Sequence, residues 1–268
     1  MTALPPALHS ALRAPEVLIV AVSGGVDSLC LSAAAQVARA GAGLRLVHAV
    51  SPAVPQAATT RVQRFAAERG LDLALIASGE FEDPRYRANP VDRCYYCKTH
   101  LYGTLADLAQ QGAVAAGTNL DDLGDFRPGL RAAAERGVIH PFVDAAMTKA
   151  DVRALARALG LQEIAELPAA PCLASRIETG LRVEPADLAM IDAVEEALRA
   201  NLGTVTLRCR RTHAGLAVEL DAAILAGLSA DRQQALSALA RAACLPHGGG
   251  DLPLTLRPYR QGSAFLHD

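Results

Sequence analysis

The chain has no tryptophan and only 4% aromatic residues, so its core has to be assembled from Ala, Leu and Val. It has no strong excess of charge: 26 Lys and Arg stand against 28 Asp and Glu, for a net charge of −2. That balance argues against a surface devoted to gripping nucleic acid, which is usually basic. No run approaches the ~18 apolar residues of a membrane helix. Residues 1–13 lack the basic start, apolar stretch and small-residue cleavage site of an export signal. The expectation is a cytoplasmic chain, free of membrane, whose thiols stay reduced. What is abundant is apolar material, 51% hydrophobic against 20% charged, which excludes a disordered chain. A length of 268 residues fits one large domain or two smaller ones. Six cysteines at uneven spacing do not read as a secreted disulfide framework. As reduced thiols they are available for metals, clusters or sulfur chemistry.

Short apolar runs alternate with helical patterns. Residues 17–22 read as a strand buried on both faces, followed by a helix at 29–39. Strands at 44–50, 71–77 and 113–116 alternate with helices at 59–69 and 98–110, which predicts an α/β fold with a parallel sheet covered on both sides. A helix at 149–159 has Thr148 as its cap. Residues 171–180 are too irregular for a helix. Beyond them come a long helix at 185–201 opened by Glu184-Pro185, strands at 205–209 and 216–220, a helix at 231–243 and a last strand at 252–257. The reading is a domain of residues 1–180 and a smaller α+β domain of residues 181–268.

Between the first strand and the first helix lies Ser23-Gly24-Gly25-Val26-Asp27-Ser28. Two glycines allow positive φ and let backbone N–H groups approach an anion closely. Ser23 and Ser28 add hydroxyls, and the positive end of the following helix points at the same place. The spacing is neither that of the Walker loop nor Gly-x-Gly-x-x-Gly. The string resembles the Ser-Gly-Gly-x-Asp-Ser loop of the PP-loop ATP pyrophosphatases, which split ATP between its α and β phosphates and attach AMP to a substrate. That resemblance implies that Ser23, Gly24, Gly25, Asp27 and Ser28 hold the pyrophosphate end of ATP, with Asp27 a ligand for Mg²⁺. Gly117-Thr118-Asn119 follows the fourth strand, where parallel α/β folds bind ligands, so Gly117 and Asn119 join the candidate nucleotide site. Asp121 and Asp122 follow them, and a helix cap with solvated acids is the plainer reading of that stretch.

Cys94-Tyr95-Tyr96-Cys97 is a C-x-x-C, and Cys172 stands alone far downstream. The pair fits zinc if His100, His140 or His213 completes the ligand set. Three cysteines also fit three irons of a 4Fe-4S cluster. Cys30, Cys209 and Cys244 lie in periodic apolar stretches and read as core residues.

Three further strings accompany the loop: residues 89–98 around the C-x-x-C, residues 117–129, and Pro171-Cys172-Leu173-Ala174-Ser175-Arg176-Ile177. The four together, in this order from about residue 17 to 263, resemble the LarE family of ATP-dependent sulfur transferases. The resemblance implies the adenine nucleotide alpha hydrolase-like fold with a smaller C-terminal α+β domain. It implies adenylation of a carboxylate of pyridinium-3,5-biscarboxylic acid mononucleotide and its sulfuration to a thiocarboxylate, towards the nickel-pincer nucleotide of lactate racemase. Some members of that family give up the sulfur of a single cysteine, and others use three cysteines and a 4Fe-4S cluster. Cys94, Cys97 and Cys172 match the three-cysteine pattern, so the expected cofactors are ATP, Mg²⁺ and a 4Fe-4S cluster, with Cys172 as sulfur donor the rival.

Among the remaining candidates, Arg176 beside Ser175 is placed to reach an anion near Cys172. Arg208 and Arg210 alternate along a predicted strand and face one side, resembling a family pair that binds substrate phosphate; a solvated strand face is the bland alternative. Glu195 matches a family position for an active-site acid. The tail Tyr259-Arg260-Gln261-Gly262-Ser263 resembles a family motif, with no role assigned. Lys149 serves either ATP phosphates or a helix start. Glu178-Thr179-Gly180 departs from the Pro-Tyr-Gly of many relatives. The family implies a homo-oligomer, a hexamer or other multiple of three. The competing functions are a PP-loop tRNA thiolase, an amidating PP-loop synthetase, and a non-enzymatic zinc or nucleotide-binding module.

Overall fold

The computed structural model describes residues 3–110, 112–124, 127–203, 205–260 and 262–264. Asp125, Phe126 and Gln261, which belong to the motif strings, lie outside the described residues. The chain divides into two compact units, one of Met1–Ser51, Gln56–Asp83 and Cys94–Ala170, the other of Pro52–Pro55, Pro84–Arg93 and Pro171–Asp268.

The first unit carries α1 (Pro6–Arg13), β1 (Leu18–Ala21), α2 (Val26–Arg39), β2 (Leu44–Ala49), α3 (Gln56–Arg69), β3 (Leu73–Ile76), α4 (Arg93–Ala109), β4 (Ala113–Ala115), α5 (Pro128–Glu135) and α6 (Lys149–Ala158). Its sheet has the order β3-β2-β1-β4, and every pairing is parallel. The period of two along a strand splits the core. Leu18 and Val20 pack with Leu29, Ala33 and Ala34 of α2, Val62 and Phe65 of α3, and Val152 of α6. Ile19 packs on the opposite face with Tyr102 and Leu105 of α4 and Ala132 and Ala133 of α5. β1 is thus covered on both faces, which is why it reads as an unbroken apolar run rather than an alternation.

The sequence reading gave no role to α1. Leu8 and Leu12, four apart on one face, are fully buried, and each contributes about 2 kcal/mol. Arg39 fixes the segment by donating to the carbonyls of Leu12, Pro15 and Glu16 at 2.9, 2.8 and 2.6 Å.

The second unit carries α7 (Pro185–Leu202), β5 (Leu207–Thr212), β6 (Gly215–Leu220), α8 (Ala230–Cys244) and β7 (Leu254–Pro258). Its sheet runs β5-β6-β7, antiparallel then parallel. The fifth strand lies later than the expected 205–209. Thr212 pairs with Gly215 across a two-residue turn, and such a turn fixes the register of the whole hairpin. Gly215 has φ +127°, and a Cβ there would meet the Pro253 carbonyl oxygen at 2.3 Å, so only glycine fits beside β7.

The irregular stretch from Pro171 belongs to this second unit, and the 180/181 division of the sequence reading falls inside it. Backbone bonds tie the stretch in: Leu173 N–H donates to Ala53 at 2.8 Å, Glu178 to Arg211 at 2.9 Å, and Asn89 accepts from Gly180 at 3.0 Å. Among the described residues, no helix is long and apolar enough to cross a membrane.

Candidate functional site

β1 and β4 are neighbours in the sheet and parallel, so the segments leaving their carboxyl ends emerge side by side. The first is Ser23–Ser28. Gly24 sits at φ +83°, and a Cβ on it would lie 2.9 Å from the Ala58 carbonyl oxygen of α3. Ser28 Oγ accepts from Ser23 N–H at 3.1 Å and donates to the Gly25 carbonyl at 3.1 Å. The loop is therefore folded on itself at the mouth of α2. The first amides of a helix have no intrahelical acceptor, and together with the dipole they form a cradle for an anion.

The second segment closes on the loop from β4. A Cβ on Gly117 would stand 2.8 Å from the Asp27 carbonyl carbon and 2.9 Å from Ser28 N, so glycine is required for this approach. Asn119 is fully buried and donates from Nδ2 to Asp27 Oδ1 at 3.3 Å. Lys149, the first residue of α6, donates from Nζ to Asp27 Oδ1 and Oδ2 at 2.7 and 2.5 Å. Its backbone N–H meets Asp121 Oδ2 at 3.1 Å. Thr148 and Asp151 form a capping box that starts α6 at this lysine. Ser23, Gly24, Gly25, Asp27, Ser28, Gly117 and Asn119 are thus brought together, with Lys149 added. Lys149, read from the sequence as serving ATP phosphates or a helix start, is the first residue of α6 and the partner of Asp27.

Two residues of this site escaped the sequence reading. His48, buried near the end of β2, donates from Nδ1 to the Val22 carbonyl at 2.7 Å, and its Nε2 accepts from Thr59 Oγ1 at 3.0 Å. Burial lowers its pKa against the pull of the Val22 carbonyl, so it braces the residue before the loop as a neutral ring. A histidine inside an otherwise apolar strand is the signal that could have found it. Arg61 on α3 donates from Nη1 to the Gly24 carbonyl at 3.0 Å; its place in the helix gives no sequence signal.

The cysteines sort by exposure. Cys30, Cys209 and Cys244 are buried, Cys94 and Cys97 are half-buried and Cys172 is exposed, and none of the six is in a disulfide. Burial, with Asp27 nearby, pushes the Cys30 thiol up to about 12. Burial, with Glu195 nearby, pushes the Cys209 thiol well above its ordinary value. Cys94 and Cys97 lie one turn apart on α4, hence on one face. His100, on the same helix, bonds Asp83 Oδ2 at 2.9 Å. Burial holds His140 below its ordinary pKa. His213 belongs to the other unit, where it pairs with Glu178 at 3.2 Å. Within either unit, the described residues contain no group of three His, Cys, Asp or Glu side chains gathered as a metal site. Cys94 and Cys97 belong to the first unit and Cys172 to the second.

In the second unit, Arg176 and Glu195 form a buried pair, 2% and 0% exposed, with Nε–Oε1 at 3.0 Å and Nη2–Oε2 at 3.3 Å. Glu195 also accepts from Arg199 and, at 3.0 Å, from the Cys209 backbone N–H. Arg176 Nη1 donates to the carbonyls of Pro171 and Cys172 at 2.5 and 3.0 Å and to Ser175 Oγ at 3.0 Å. Ser175 Oγ donates to the Cys172 carbonyl at 2.7 Å. These groups hold the backbone that presents the Cys172 thiol. Burial raises the Glu195 carboxyl, but Arg176, Arg199 and the Cys209 amide outweigh that and leave its pKa below the ordinary value.

Arg208 and Arg210 share one side of β5. Arg210 is committed: Nε donates to Glu219 at 2.8 Å and Nη1 to the Ser175 carbonyl at 3.1 Å. Glu219, fully buried, also accepts from Arg257 and from Ser263 Oγ at 2.7 Å. The tail motif thus has a role, since Ser263 completes the shell of Glu219. Arg208 lies 6.0 Å over the Tyr259 ring, and burial and Arg176 lower its pKa.

Four parallel strands flanked by helices, with a Gly-Gly loop leading from the first of them into α2, define an α/β protein of the Rossmann-like PP-loop class. No protein-family model matches the chain. Three curated proteins do resemble it. One, from Lactiplantibacillus plantarum, is named pyridinium-3,5-bisthiocarboxylic acid mononucleotide synthase and is 31% identical over 206 residues, 76% of this chain and 74% of its own length. An uncharacterized Synechocystis protein is 36% identical over 195 residues, 72% of each chain. An uncharacterized Methanocaldococcus jannaschii protein is 29% identical over 209 residues, 76% of this chain and 78% of its own. The chain belongs to the LarE family, that of the Lactiplantibacillus synthase.

Proposed function

We propose that this protein is an ATP-dependent sulfur transferase that converts carboxylates of pyridinium-3,5-biscarboxylic acid mononucleotide into thiocarboxylates. The observation that carries the reading is the loop at the mouth of α2, closed by Gly117 and Asn119 and held by Asp27, in a chain 31% identical to a synthase of that product's name. ATP occupies the cradle of Ser23, Gly24, Gly25, Asp27 and Ser28. Asp27, whose carboxylate already attracts the Lys149 cation, supplies the oxygen ligand a Mg²⁺ on the phosphates prefers. The substrate carboxylate oxygen attacks the α-phosphorus and pyrophosphate leaves. A sulfur nucleophile then attacks the acyl carbon and AMP leaves. A carboxylate is a poor electrophile, and AMP makes its oxygen a leaving group.

Arg208, backed by Arg210, receives the substrate's phosphate. Arg176 and Glu195 act as positioning residues for Cys172, because the pair is buried and spends its hydrogen bonds on the backbone around that thiol. Cys94, Cys97 and Cys172 are the three thiols that are not buried in core, and as the donor set they suit three irons of a 4Fe-4S cluster. When bound, the cluster supplies sulfide as the nucleophile. The rival source is the Cys172 sulfur itself, lost by breaking its Cβ–S bond with loss of the Cα proton. The protein works in the cytoplasm as a homo-oligomer, in a multiple of three.

The test is anaerobic protein with ATP, Mg²⁺ and the biscarboxylic mononucleotide, followed for pyrophosphate and for thiocarboxylate product by mass spectrometry. Substrate-dependent pyrophosphate release with the thiocarboxylate product supports the assignment. Salt-sensitive binding and thiolation of tRNA, without that product, overturns it. About four irons per chain, lost in Cys94→Ala and Cys97→Ala together with sulfur transfer, supports the cluster. Colourless protein that turns over once and converts Cys172 to dehydroalanine establishes the rival.

A further inference from the structure

The PP-loop is met by two cationic side chains in the first unit. Lys149 is neutralised by Asp27 at 2.5 Å. Arg61 is not neutralised: it is half-buried on α3, its Nη1 rests on the Gly24 carbonyl at 3.0 Å, and no carboxylate lies within ion-pair distance of it among the described residues. Its charged neighbour is another cation, Arg64, and burial together with Arg64 lowers its pKa. A guanidinium drawn partly out of water without an anion loses hydration that a bound anion would restore. Its remaining N–H donors form a fork suited to phosphate. The same helix touches the loop at Ala58 and Val62, 2.9 and 3.2 Å from where a Gly24 Cβ would stand, so α3 is seated against the loop and carries Arg61 beside it.

We propose that Arg61 is a ligand of the polyphosphate bound at the PP-loop, anchored by one N–H on the Gly24 carbonyl and donating with the others to the pyrophosphate moiety of ATP. The inference rests on the ATP reading of that loop. Negative charge accumulates on pyrophosphate as its bond to the α-phosphorus breaks, and a cation fixed beside the loop offsets that charge without reorganising. Arg61 is thereby selective: it serves ATP and free pyrophosphate, and not AMP.

The test is calorimetric titration of the full chain with Mg²⁺-pyrophosphate and with AMP, for wild type, Arg61→Ala and Arg61→Lys, alongside each variant's melting temperature without ligand. Arg61→Ala is expected to weaken pyrophosphate binding by about tenfold or more, the loss of a charged hydrogen bond, with AMP affinity and melting temperature unchanged and Arg61→Lys intermediate. Pyrophosphate affinity equal to wild type overturns the proposal. So does an equal fall in AMP affinity or a fall in melting temperature, since either marks a brace for the loop. Wild-type protein that binds neither ligand refutes the ATP reading itself, and this proposal with it.

Discussion

Lys149 Nζ donates to both carboxylate oxygens of Asp27, at 2.7 and 2.5 Å, joining the first residue of one helix to the second residue of another across the candidate phosphate site. Both side chains keep about a third of their surface in water, 31% and 27%, and a pair so exposed is worth about 0–1 kcal/mol. Lys149→Ala is therefore expected to shift the melting temperature by no more than about 4 °C. On the proposed ATP reaction, pyrophosphate release should nonetheless fall by about tenfold or more, because the lost charge would lie where phosphate charge develops. A calorimetric scan beside a pyrophosphate assay separates the two, and a variant that melts far lower would make the pair structural.

Glu195 behaves in the opposite way. Its carboxylate is fully buried and accepts from Arg176, Arg199 and the Cys209 amide. Removing it leaves Arg176 buried without a counter-charge, so Glu195→Ala should cost about 3–5 kcal/mol. The folded pKa lies below the ordinary 4.5. The stabilisation is therefore complete above that value and is lost as pH falls from it through the lower folded value. Denaturant melts of wild type and Glu195→Gln across pH 3–7 should converge at the acid end and separate above it. Parallel curves would show that the carboxylate is not held ionised by its partners.

Thiol exposure gives an ordered expectation. Iodoacetamide on metal-free native protein should label Cys172 first and Cys94 and Cys97 next, with Cys30, Cys209 and Cys244 protected until unfolding. The first thiol is exposed, the second two are half-buried and the last three are buried. The Cys30 thiol, at about 12, also has almost no thiolate at neutral pH. Peptide mapping over time reads the order, and early labelling of Cys30 would contradict the packing of α2.

The sheet of the first unit was legible because its central strand is buried on both faces and its helices carry a clear period. The loop was legible because a double glycine between strand and helix has few other uses. The hairpin of the second unit was displaced because its register depends on a turn at His213-Ala214, and alternation alone does not show where a turn falls. Arg176 was singled out to reach an anion near Cys172, Glu195 as an active-site acid and Arg210 as one of a phosphate-binding pair, and the structure adds the protein partners of each. An arginine in a linear string does not reveal whether its partner is a ligand or a glutamate nineteen residues away. Arg61 and His48 were missed because their importance lies in which backbone carbonyl they reach, a long-range relation that no local pattern carries.

The two glycines at the junction of β1 and β4 supply the sharpest steric test. A Cβ on Gly117 would press on the backbone of Asp27 and Ser28 at 2.8 and 2.9 Å, whereas one on Gly25 would meet only Ser23 Oγ, at 3.7 Å. Backbone cannot swing aside as a side chain can, so Gly117→Ala must push the β4 segment off the loop, at about 1–3 kcal/mol by analogy with overpacked cores. Gly25→Ala has ordinary φ, −84°, and should leave the melting temperature within about 2 °C of wild type, since it strains neither backbone nor packing. Gly117→Ala should melt lower and also lose pyrophosphate binding, because Asn119 would be carried away from Asp27. Equal melting temperatures for the two variants would show that β4 and the loop can separate freely.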